Sequence, residues 1–185
     1  MPEFNTASLI LALTEKLREH QSWAGETHVQ KAIYILNRVL RVPIPFKFIL
    51  YKHGPFSFDL RDEIGWMRSI RLLEWEVRSN SYGSSLRTGQ LSPILKRQFP
   101  EMPQKHSGEI EFVAKRFAGK NVAGLERLTT AIYVTLDETT PPHERADYFH
   151  ALKPHVSIPE AEAAVLEADA LIQVVNDRSA RAMVA

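Results

Sequence analysis

Two proline-marked breaks, Val42-Pro43-Ile44-Pro45 and His53-Gly54-Pro55, leave room for only a short extended segment between two helix-periodic stretches. Phe46 to Tyr51 is aromatic and β-prone, so it reads as a strand. Gly54 and Pro55 read as a turn after it, and Ser57 is placed to cap a helix whose second residue, Asp59, suits the positive helix end. That helix carries Leu60, Ile64 and Met67 at core spacing and ends near Arg71.

The flanking segments extend the pattern. Leu9, Leu13 and Leu17 predict a first helix from about residue 5 to residue 20. Thr27-His28-Val29-Gln30 has the form of a capping box opening a second helix, with Val29, Ile33, Leu36 and Leu40 facing the core. Leu73, Trp75 and Val77 alternate with Glu74, Glu76 and Arg78, and Leu86 to Leu91 is expected to return as the second strand of a hairpin whose tip spans 79–85. A helix followed by such a hairpin is the C-terminal part of a winged helix. From Pro93 to Pro103 the chain reads as irregular.

The remainder reads as helical. Ile110, Val113 and Phe117 mark one helix, and Leu125, Leu128, Ile132 and Leu136 a second. A third starts at Pro141-Pro142. The last opens on the capping box Ser157-Ile158-Pro159-Glu160 and turns an alanine-rich face inward, with a frayed tail from about residue 177. The expected fold is mainly α with a small β-sheet: a winged-helix-like part over 1–100, a helical C-terminal part over 101–178 packed with it as one unit, and a flexible tail over 179–185.

Gln30, Lys31 and Tyr34 on the second helix, then Leu50 to Ser57, Asp59-Leu60 and the Leu72-Leu73-Glu74 strand start resemble the YwgA-like proteins and the related SocA (Panacea)-type antitoxin-associated domains. The match covers roughly residues 25–78, and Leu125-Glu126-Arg127-Leu128 and Leu152-Lys153-Pro154-His155 are similar to the family's helical remainder. The resemblance implies a small prokaryotic or phage protein with a winged-helix-like fold and, by analogy, an antitoxin-like role, and it implies little about chemistry. The non-enzymatic reading rests instead on the lack of catalytic motifs.

Two functions follow as expectations. In the first the chain binds DNA, with Arg61, Arg68 and Arg71 on the helix and Arg78, Asn80, Tyr82 and Arg87 around the wing, flanked by Lys96 and Arg97. A basic balance over 1–100 (14 Lys and Arg against 9 Asp and Glu) and an acidic one over 101–185 (9 against 13) suit an anion-binding side. Against it stand Asp59, Asp62 and Glu63 on the same helix and Glu74 and Glu76 on the hairpin. In the second, the chain masks a protein partner, a toxin or defence factor, through an exposed hairpin with Trp75 and Tyr82. His53, beside a helix start, and Lys31 are candidate partner or anion contacts; the bland readings are a locally bonded turn residue and a stem lying over apolar surface.

Catalytic patterns are absent. Glu74-x-Glu76-x-Arg78 has an arginine where metal-dependent nucleases need lysine, and His143 and His150 are seven apart, too far for one zinc. With no cysteine there is neither a thiolate ligand nor a disulfide. No cofactor, metal or membrane association is expected; the absence of a leader or spanning segment points to the cytoplasm, and the oligomeric state is left open.

Overall fold

A computed structural model describes residues 4–78 and 83–184, with side chains as far as residue 181. Helix α1 (Phe4–Glu19) runs through the core, with Leu9, Leu13 and Leu17 fully covered together with Ile10 and Leu11. It packs against α5 (Glu101–Lys105) and α6 (Ser107–Phe117), while α2 (Glu26–Arg38) packs against α6 and α7 (Val122–Leu136). The stretches 1–100 and 101–178 therefore share one hydrophobic core. The long α9 (Ile158–Val184) covers α7 and α8 (Arg145–Leu152); its inward Ala161, Ala164 and Ala168 allow the close approach that the alanine spacing predicted. The chain is mainly helical, as expected.

The β-structure differs from expectation. Among the described residues there are two separate antiparallel pairs instead of one small sheet. β1 (Ile49–Tyr51) pairs with β2 (Gly54–Phe56), in the register Ile49 to Phe56 and Tyr51 to Gly54. Gly54 and Pro55 are thus a strand, and the turn is Lys52-His53. Phe46 to Phe48 stay outside the strand. Then α3 (Phe58–Ser69) begins on Ser57, whose side chain accepts a hydrogen bond from the Leu60 N–H, and it buries Leu60, Ile64 and Met67 as read. The second hairpin joins β3 (Leu73–Glu76) to β4 (Ser85–Thr88), shorter than the predicted return to Leu91. Leu73 is buried and Trp75 half-buried, but Val77 lies past the strand end and is exposed.

Three further corrections have simple causes. Thr27 does not cap α2, because the helix already starts at Glu26 behind Gly25; Gln30 is thereby free to bond elsewhere. The 93–103 region forms two short helices, α4 (Ser92–Gln98) and α5, since Pro93 and Pro103 sit in first turns, where a proline lacks no needed N–H. At the other end α9 continues to Val184, so helical backbone occupies most of the stretch read as tail. The capping of α9 is as expected, with Glu160 accepting from both the N–H and the hydroxyl of Ser157. No described helix is long and apolar enough to cross a membrane.

Candidate functional site

The β1–β2 hairpin carries the Tyr51–Ser57 run, and three side chains from two distant segments grip its backbone. From α2, Gln30 bonds Ser57 twice: its amide donates to the Ser57 carbonyl at 2.9 Å, and its oxygen accepts the Ser57 N–H at 3.0 Å. One residue on, the Lys31 ammonium donates to the Pro55 carbonyl at 2.7 Å. From beyond α8, Lys153 donates to the Tyr51 carbonyl at 2.7 Å and also to that of Lys52. The hairpin is stapled to the body by polar side chains.

Beneath the staples lies a buried charge cluster. Glu126 of α7 is 6% exposed, with Lys153 Nζ 3.3 Å from its Oε1. His53 Nδ1 stands 3.2 Å from Oε2 and His155 Nε2 3.5 Å from Oε1. Oε1 accepts no well-aligned hydrogen bond, so charge rather than directional bonding stabilises it. Lys31 is 1% exposed, and burial lowers its pKa to about 7 against the partial opposing pull of Glu126. Lys153 pushes in the same direction as burial. Gly54 lies on α7 with φ near +82°, where a Cβ would stand 3.0 Å from Thr130 Oγ1 and 3.2 Å from Thr129 Oγ1. That close approach lets the hairpin settle onto α7.

Tyr34, the third residue of the Gln30-Lys31-x-x-Tyr34 set, is fully buried and donates to Asp137 at 2.6 Å; Arg38 holds the other Asp137 oxygen at 2.7 Å. Burial, reinforced by the Asp137 charge, pushes the Tyr34 phenol well above its usual range. Tyr34→Phe is expected to cost about 1–2 kcal/mol, because a half-covered carboxylate loses a donor. A urea midpoint unchanged from the parent chain would contradict this.

The outer side of the hairpin is aromatic. Tyr51, Phe56 and Phe58 meet pairwise with ring centroids 5.1–5.7 Å apart, and Arg61 lies over Phe58 at 5.1 Å. Tyr51 is 45% exposed, Phe58 40% and neighbouring Ile49 49%. The stapled backbone therefore presents a contiguous, solvent-facing aromatic surface.

The arginines expected at DNA are for the most part engaged within the chain. Arg87 lies directly across the β3–β4 pair from Glu74 and bonds it at 2.8 Å. Arg61 bonds Asp62 through both Nε and Nη2. Arg68 lies over the Trp75 ring at 4.7 Å, and Arg78 over Trp23 at 5.2 Å while facing Glu76 at 3.9 Å. Lys96 is held by Glu15. Arg71, exposed at φ +58°, and exposed Arg97 complete the set. Asn80 and Tyr82 lie outside the described residues.

Two single-residue readings change. Lys31 does not drape its stem over apolar surface; it is sealed in and used as a hydrogen-bond donor. His53 sits not at the start of α3 but beside that of α7, in a shallow depression of about 500 Å³ with Lys52, Asn121, Val122, Ala123, Glu126 and His155. Sequence reading missed Glu126 and Lys153 as site residues. One signal was present: α7 is apolar along most of its length, and Glu126 and Arg127 are its charged residues, so a carboxylate on that helix is burdened with desolvation unless partnered. Among the described residues no cluster of three His, Cys, Asp or Glu is placed to hold a metal.

The chain matches no protein-family model and no curated protein. The site's geometry therefore carries the functional argument.

Proposed function

We propose that the chain is a non-enzymatic regulatory protein of the YwgA-like, antitoxin-associated kind, whose stapled β1–β2 hairpin docks a protein partner. The carrying observation is the exposed Tyr51–Phe56–Phe58 cluster with Arg61 over it. Tyrosine and arginine are enriched among residues that dominate interface energies, and aromatic groups are enriched at interface centres. A rigid backbone under such a cluster lowers the ordering cost of binding. In the closed hairpin Gln30, Lys31 and Lys153 hold that backbone in place.

Nucleic-acid binding, with α3 and the β3–β4 hairpin as a winged-helix-like reader, is disfavoured by the same geometry. Arg87 and Arg61 would have to leave Glu74 and Asp62, and those carboxylates would then face phosphate.

The test is co-purification with the product of the adjacent gene, followed by titration. Tyr51→Ala with Phe58→Ala should weaken the complex at least about tenfold while leaving the chain folded with a modestly lower melting temperature, because each ring is somewhat more than half covered. An absent complex, together with a DNA gel shift that disappears at higher salt and on changing Arg68, Arg71, Arg78 and Arg87 to Ala, would reverse the choice.

A further inference from the structure

We propose that the β1–β2 hairpin is a proton-linked lid over Lys31, opening with uptake of a proton and closing with its release. The inference rests on the packing of the hairpin and stands whether or not a partner docks there.

Three observations carry it. Lys31 is sealed beneath the hairpin: it is 1% exposed, its ammonium lies on the Pro55 carbonyl, and β2 packs across both α2 and α7. Only one strand of the hairpin is covered: Gly54 and Pro55 of β2 are buried, whereas Ile49 and Tyr51 of β1 face solvent and β1 is tied down through its Tyr51 carbonyl on Lys153. Elements held in this way open locally at a fraction of the global unfolding free energy. Finally, among the described residues no carboxylate is dedicated to Lys31. The charged groups acting on it are Glu126 from α7 and Lys153 from beyond α8, and Glu126 already faces Lys153, His53 and His155.

The direction follows from linkage. A lysine exposed by opening regains its ordinary pKa near 10.5, whereas in the closed state burial holds it at about 7. Between these values the open form binds more protons, so raising the pH favours closure, by up to about tenfold per pH unit. Below about pH 7 both forms are protonated and the dependence vanishes.

Amide hydrogen exchange tests this on the full chain, with rates for Ile49, Leu50, Tyr51, Gly54 and Phe56 divided by their intrinsic values between pH 6.5 and 9. The expected result is protection lower than that of α1 and rising with pH above about 7, with the rise abolished in Lys31→Met. Flat protection in the parent chain, the same slope in Lys31→Met, or hairpin protection equal to that of α1 would each overturn the proposal. Should Lys31→Met not fold, Thr130→Cys supplies a second readout. This buried position touches Gly54, and the chain has no cysteine of its own. Its alkylation rate, relative to a free thiolate, should fall with rising pH; a constant ratio overturns the lid.

Discussion

Lys153→Met is expected to lower stability by about 3–5 kcal/mol, the range for breaking a buried pair by removing one partner. The substitution keeps the stem's volume, so packing is preserved and the loss isolates the ammonium. Without it Glu126 is left nine-tenths buried beside two largely exposed imidazoles, with Lys31 as its remaining lysine neighbour. The Tyr51 and Lys52 carbonyls lose their shared donor at the same time. Glu126→Gln alone should also destabilise, but combined with Lys153→Met it should cost less than the two single losses together, by about 1–3 kcal/mol. Urea denaturation of the four chains measures this coupling. Strict additivity would mean that Lys153 acts only through the two carbonyls.

Gly89→Ala should be nearly as severe, at about 3 kcal/mol or more, for a different reason. A Cβ at Gly89 would stand 2.3 Å from the Arg71 carbonyl oxygen and 2.8 Å from its carbon. Neither atom can retreat easily. The Gly89 N–H donates to the Leu72 carbonyl, the Arg71 carbonyl accepts from the Leu91 N–H, and Arg71 is already in the left-handed region at φ +58°. Overpacking against backbone is relieved only by shifting the junction between α3 and the β3–β4 hairpin. Thermal unfolding of Gly89→Ala against Gly65→Ala, whose Cβ would meet nothing, is the controlled comparison. Equal melting temperatures would show that the junction yields.

How much of this could be read from the sequence depended on the range of the interaction. Leu60, Ile64 and Met67, or Ile110, Val113 and Phe117, declare their buried face within one or two helical turns, and each proved buried. Pro93 and Pro103 misled because proline marks a helix start as readily as a break. Gly54-Pro55 read as a turn because those residues usually are one; here a lysine on each side of the hairpin satisfies its carbonyls and holds it as a strand. The staple of Gln30 on Ser57 spans 27 residues, and that of Lys153 on Tyr51 spans 102. No periodicity reports pairs so far apart. The arginines illustrate the converse. Their positions were legible, but whether each is free depended on partners such as Glu74 for Arg87 and Trp75 for Arg68, which the register of β3 on β4 and the packing of α3 bring to them; Asp62, next to Arg61 in the chain, is the exception.

The 102-residue span between the Tyr51 carbonyl and its lysine has a consequence during synthesis. At about 5–20 residues per second, a ribosome delivers Lys153 roughly 5–20 s after the hairpin's own residues. Through that interval the nascent chain carries the Tyr51, Phe56 and Phe58 residues with only α2, and from residue 136 also α7, available to hold their backbone. A chain ended before residue 153 lacks that donor, so the Tyr51 and Lys52 carbonyls are left without the lysine that holds them in the complete fold.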